Sequence, residues 1–153
     1  MSLRLVPPLP SGTPGDPGLT GPGSLTWRIA RERVVPLGGL SALLLQLAHP
    51  LVAAGVAEHS NFQGDPTKRL MLTLEMLLVT TFGDIRQADE MTARIAHIHR
   101  CVNGSLPNDT GEWHRGTHYS ATSPELCLWV HATIIETTLK SAADRSVALP
   151  AQM

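Results

Sequence analysis

Residues 43–60, LLLQLAHPLVAAGVAEHS, form an almost wholly apolar run that is interrupted by a His-Pro pair and closed by Glu-His-Ser. A membrane span needs ~20 consecutive apolar residues, and the uninterrupted portion here is shorter. Gln46, His49, Pro50, Glu58 and His59 also fit a lipid-facing helix poorly, because their polar groups would lose water without an evident partner. From Gly39 to Glu58 the apolar residues go all round the helical cylinder, the pattern of a helix buried on most sides. Pro50 lacks an N–H donor and leaves the Gln46 carbonyl without its helical partner, which predicts a kink or break near His49. Two short buried helices meeting at His49-Pro50 fit the pattern equally well.

The helical reading extends outward in both directions. Upstream, residues 7–23, PPLPSGTPGDPGLTGPG, are too rich in proline and glycine for a regular element, so residues 1–23 read as a flexible leader. In SLTWRIARERVVPL, Ser24 or Thr26 can cap a short docking helix, with Trp27, Ile29 and Val34 on one broad side and Pro36 stopping it. Downstream, DPTKRLMLTLEMLLVTTFG carries clear boundaries: Asp65 as cap, Pro66 at the first helical position, Gly83 as the terminating turn. A further helix is expected over roughly Asp84–Val102, then a polar loop from Ser105 to His118. A last helix opens with Ser123 as cap, Pro124 at the first position and Glu125 on the positive end of the dipole. There is no sustained alternation and no Asn-Gly or Asp-Gly hairpin between such runs, so strand signals are absent and the chain reads as an all-α helical bundle. The helical domain is expected over residues 24–143, with an atypical or disordered tail over 144–153.

The bulk numbers narrow the function classes. With 153 residues, 42% of them hydrophobic, one globular domain can bury a core. The 12 Lys+Arg against 13 Asp+Glu give a net charge of -1, which leaves no electrostatic case for nucleic acid. Cys101 and Cys127 lie far apart without finger spacing, which suits free thiols in a reducing compartment. With no secretory signal in the opening residues, a cytoplasmic location is expected.

Helical periodicity sorts the polar residues. His99 falls on the face of Met91, Ile95 and Val102, whereas His97 lies opposite with Arg94 and Cys101. His131 shares a face with Cys127, Leu128, Ile134, Ile135 and Thr138, and is therefore also expected to look inward. An inward imidazole needs a partner, and a carbonyl or a metal satisfies it equally. Arg69 and Thr73, four apart, share a face that can hold an anion or polarise bound oxygen, and Glu58 ends the preceding helix. Snorkelling to solvent is the plain alternative for Arg69.

Taken together, WRIARERVVPLGG, ALLLQLAHPLVAAGVAEHS, DPTKRLMLTLEMLLVTTFGD, IHRCVNG and SPELCLWVHATIIET resemble the oxygenase family named after the mycophenolic-acid-pathway oxygenase (MpaB-like). That family shares a catalytic domain with the latex-clearing rubber oxygenases. The resemblance implies an all-α fold with a globin-like core, a b-type haem, and dioxygen-dependent cleavage of double bonds in a hydrophobic, isoprenoid-type substrate. It implies His99 as the iron ligand, Arg69 and Thr73 on the distal side, and Glu58 as a base; His131 stands as a second cofactor-binding candidate. Leu72 departs from the rubber oxygenases, which carry a lysine just before the threonine. After Leu139 the apolar pattern lapses in KSAADRSVALPAQM, so a domain incomplete at its C-terminus is expected.

Three functions compete at this level. One is the haem-dependent oxygenase. The second is a non-catalytic helical module that binds an apolar ligand or self-associates into a homo-oligomer. The third is a non-haem metal site built from His99 and His131.

Overall fold

In the computed structural model the described residues are 9–31, 35–60 and 66–148. They form six helices and a two-stranded antiparallel sheet: α1 Leu25–Ala30, α2 Val35–Leu47, α3 Pro50–His59, α4 Pro66–Phe82, α5 Ile85–Cys101, β1 Asn103–Ser105, β2 His118–Ser120 and α6 Pro124–Ala148. The architecture is mainly α, as the helical patterning predicts. Asp65 and Val34, expected as a cap and a packing residue, lie outside the described residues.

The His-Pro pair breaks the apolar run into two helices bent by 104°. His49 is the N-cap of α3: its Nδ1 accepts the Leu51 N–H at 3.3 Å, and Pro50 occupies a position where no helical N–H is needed. The Gln46 carbonyl, deprived of its proline partner, takes the His49 N–H at 3.3 Å instead. The His49 ring sits 5.7 Å from Trp113 and 5.6 Å from Trp129, centroid to centroid. No single helix among the described residues is long and apolar enough to cross a membrane; α2 and α3 reach that length only together, across the bend.

One expectation for this run is corrected. α2 is not buried on most sides: Leu40, Leu44 and Leu45 are exposed, while Ala42, Leu43 and Gln46 are buried. The reason is that α2 packs chiefly on one element, α6, with lesser contact to α3 and α4, which leaves its outer leucines exposed. Gly38 makes that crossing close. A Cβ there would stand 2.5 Å from the Ser141 hydroxyl oxygen and 3.2 Å from the Thr137 carbonyl.

The other elements follow their local signals. Ser24 caps α1, its hydroxyl oxygen accepting the Trp27 N–H at 3.1 Å, and Trp27 meets Phe82 of α4 edge-on at 5.4 Å. Pro36 does not end that helix; α1 stops at Ala30, and Pro36 falls in the first turn of α2, where proline is tolerated. Gly83 closes α4 by donating to the Val79 carbonyl at 2.9 Å, and a Cβ there would stand 2.5 Å from that oxygen. Asp84 and Gln87 form a capping box at the start of α5. The Cys127 N–H donates to the Ser123 carbonyl in the first turn of α6.

The expected absence of strands is corrected in one place. Asn103, Gly104 and Ser105 pair with Ser120, Tyr119 and His118, closing the polar loop as a hairpin. Three-residue strands are too short for an alternation signal. The hairpin matters because Tyr119 and Leu106 bring it into the core, where they pack with Leu51 of α3 and Leu126 of α6.

Over residues 9–23 no helix or strand forms, yet the segment is bonded to the α4–α5 junction. The Asp84 carboxylate accepts the Thr13 N–H at 3.1 Å and the Thr13 hydroxyl at 2.9 Å, and the Thr20 hydroxyl donates to the Thr81 carbonyl at 2.8 Å. With the Gln87 N–H as a third donor, the Asp84 carboxyl is held below its ordinary range, Gln87 contributing most and Thr13 next.

Candidate functional site

Helices α4 and α5 pack side by side, and a cavity of about 340 Å³ opens between them and the end of α3. Its wall carries three of the five residues that the sequence singles out: Arg69 and Thr73 from α4 and His99 from α5. Ser60, Lys68, Leu72, Met76, Ile95 and Ile98 complete it.

His99 reaches this wall because α5 is amphipathic in the way its periodicity predicts. Met91, Ile95, His99 and Val102 are half-buried, and Arg94, His97 and Cys101 are exposed. No described residue hydrogen-bonds to the His99 ring, and burial holds its pKa below the ordinary value of 6.5. A neutral imidazole without a protein partner has a nitrogen lone pair free for a ligand.

Arg69 is turned by Ser60, whose hydroxyl oxygen accepts from Nη1 at 2.8 Å. Among the described residues no carboxylate lines the cavity, and burial lowers the Arg69 pKa from its ordinary value. Beyond its bond to Ser60, the guanidinium has further N–H donors that can meet an anion or a polarised oxygen. The Thr73 hydroxyl donates to the Arg69 carbonyl at 3.0 Å, the usual way a threonine satisfies itself within a helix. Its oxygen still has a lone pair that can accept.

The other two candidates lie elsewhere. Glu58 turns from the cavity toward the hairpin and accepts a hydrogen bond from the hydroxyl of Tyr119. Tyr119 is 2% exposed, and its pKa is pushed up to about 12 by burial first and by Glu58 second. His131 is a correction: it is exposed, with Nδ1 at 3.2 Å from the Cys127 carbonyl, so it is not an inward residue. The buried stripe of α6 runs through Leu126, Thr133 and Thr137 instead. His131 is not among the residues that line the His99 cavity. Among the described residues no group of three or more His, Cys, Asp or Glu comes together.

The sequence reading missed Ser60 and Tyr119. Both act as hydrogen-bond partners between different elements, Ser60 from the end of α3 to α4 and Tyr119 from β2 to α3, for which linear periodicity has no signal. Gln46 was visible as a polar interruption of the apolar run, but only as an argument against lipid.

One half-buried imidazole without a hydrogen bond to any described residue, a guanidinium and several apolar side chains thus line one cleft. No curated protein and no solved structure matches the chain. The family model described as "ER-bound oxygenase mpaB/B'/Rubber oxygenase, catalytic domain" matches residues 27–152, so the chain belongs to that oxygenase catalytic-domain family.

Proposed function

We propose that the chain works as a haem-dependent oxygenase on a hydrophobic, isoprenoid-type substrate, with His99 holding the iron of haem b and Arg69 and Thr73 on the opposite wall. The observation that carries this reading is the meeting of His99, Arg69 and Thr73 in one cavity from two helices. Haem, when bound, supplies the activation of dioxygen that protein side chains cannot perform.

The residues have separable tasks. His99 stays neutral because its surroundings disfavour the imidazolium, which keeps a ligand nitrogen available below the pH at which a solvated histidine protonates. Arg69, oriented by Ser60, directs positive charge at the cavity and favours developing negative charge there. Leu72, Met76, Ile95 and Ile98 keep water from the wall and offer an apolar surface to substrate. Leu72 in place of lysine leaves Arg69 and Lys68 as the cations of the lining.

Titration of the purified chain with haemin tests the reading. A Soret band that appears with one equivalent and is lost in His99→Ala is the expected result. A protein that stays colourless, or whose band is unchanged in His99→Ala, overturns it. Arg69→Ala is expected to retain the band and to lose oxygen-dependent turnover of an isoprenoid probe by about a hundredfold or more.

A non-catalytic, self-associating module is the second reading. Leu44 and Leu40 on α2, with Leu128 and Ile135 on α6, are more than half exposed, and such surface favours association. Light scattering together with haem analysis separates the two: a haem-free oligomer insensitive to Arg69→Ala supports the second.

A further inference from the structure

A second and larger cavity, of about 460 Å³, lies against the other side of α4, between α1, α2 and α6. Its volume is within the range of small-molecule sites. Leucines, alanines, isoleucines and Phe82 make most of its wall, and none of its described lining residues carries a charge. Thr73 and Leu77 stand among them, and Thr73 also belongs to the His99 cavity, so α4 is the partition between the two spaces.

One polar side chain is out of place in that lining. Gln46 is 8% exposed and borders the cavity, and its amide makes no hydrogen bond to any described residue. The amide atoms are not sealed in protein either, since no fully enclosed side-chain nitrogen or oxygen lacks a partner. Each therefore keeps some accessible surface, and Gln46 stands in the cavity lining. Of the five threonines in the lining, Thr73 donates to the Arg69 carbonyl and Thr137 to the Thr133 carbonyl within their own helices, and Thr26, Thr81 and Thr138 are less buried than Gln46. An amide offers one acceptor and two donors, and buried polar groups are almost always paired.

We propose that this cavity binds a neutral, elongated apolar molecule bearing one terminal hydroxyl or carbonyl oxygen, which the Gln46 amide holds. An apolar wall accepts the chain, and no described lining residue offers a counter-ion to an ionised head, whose unpaired burial is costly. A pure hydrocarbon fills the same space but leaves the amide unpaired. The site is separable from the haem reading in that His99 and Arg69 do not line it, although Thr73 borders both cavities.

Titration of the full chain with decanol, decyl chloride and decanoate, followed by tryptophan fluorescence, tests the proposal. Trp27 packs on Phe82 at the cavity wall and reports occupancy. Decanol is expected to bind saturably at one site, about fivefold tighter than decyl chloride, the worth of one neutral hydrogen bond. Decanoate is expected to bind at least about tenfold more weakly than decanol. Gln46→Met, which keeps the length and removes the amide, is expected to erase the preference for decanol over decyl chloride. Leu74→Trp, which fills the cavity, is expected to abolish all binding while the circular dichroism spectrum stays helical. His99→Ala is expected to leave decanol affinity unchanged, so loss of haem binding and loss of this site are told apart. Absence of saturable decanol binding, or a preference that survives Gln46→Met, overturns the proposal.

Discussion

At the scale of single residues, environment decides what each histidine can do. His49, His99 and His131 all lie in helical or helix-capping segments, and the three have different partners. His49 is committed as an acceptor to a backbone N–H, His131 lies beside its own helix's carbonyl, and only His99 has a free ring in a half-buried setting. Because the His99 pKa is lowered on folding, the unfolded chain binds the extra proton first. Stability is thus expected to fall as pH drops below about 6.5, continuing until the folded imidazole itself protonates. Denaturant midpoints measured from neutral pH down to about pH 5 should show that loss in the native sequence and a reduced loss in His99→Gln. Tyr119 offers a second test. Its hydroxyl is the donor that reaches Glu58, so Tyr119→Phe is expected to cost about 1 kcal/mol, read as a shift in denaturant midpoint with unchanged slope.

At the scale of elements, helix ends carry as much of the architecture as helix faces. His49-Pro50 turns one apolar run into two helices, and the turn places α3 beneath the hairpin rather than beyond α2. Asp84 does more than start α5. It collects the Gln87 N–H and both Thr13 donors on one carboxylate, so the cap of a helix is also the anchor of residues 9–23. Its depressed pKa fixes the sign of the pH effect: the stabilisation is present above the unfolded carboxyl value and is lost as pH falls through the folded one. Thermolysin is expected to cut at Leu19, which is exposed, slowly at neutral pH in the native sequence and faster in Asp84→Ala. Equal cleavage rates would show that the anchor contributes nothing to the segment's order.

At the scale of the whole molecule, the crossing of α2 and α6 shapes the larger cavity. It forms one wall of the Gln46 cavity, and it depends on a missing side chain. Gly38→Ala places a methyl group against the Ser141 hydroxyl and the Thr137 carbonyl, and is expected to destabilise by about 1–3 kcal/mol through overpacking. Ser141→Ala, which removes the nearer oxygen, should recover part of that loss when combined with it; additive costs would place the strain on the Thr137 backbone instead. The same crossing leaves the outer leucines of α2 without cover, which is why burial cannot be read from apolar content alone.

The sequence by itself determined the helical class, the break at His49-Pro50, the ends of α4 and α5, and the sorting of α5 that puts His99 on the inner face. These are local matters, set by proline geometry, capping chemistry and a period of ~3.6 residues. Its blocks also carried the family, which the match over residues 27–152 supports. The tertiary structure decided what periodicity cannot: which side of α6 faces inward, and hence that His131 is exposed; that Glu58 answers to Tyr119; and that Ser60 steers Arg69. It also decided that Gln46 borders a cavity instead of meeting a partner. A helix with apolar residues all round has no preferred inner face, so the neighbour it meets chooses one, and that choice is made by packing between segments far apart in the chain.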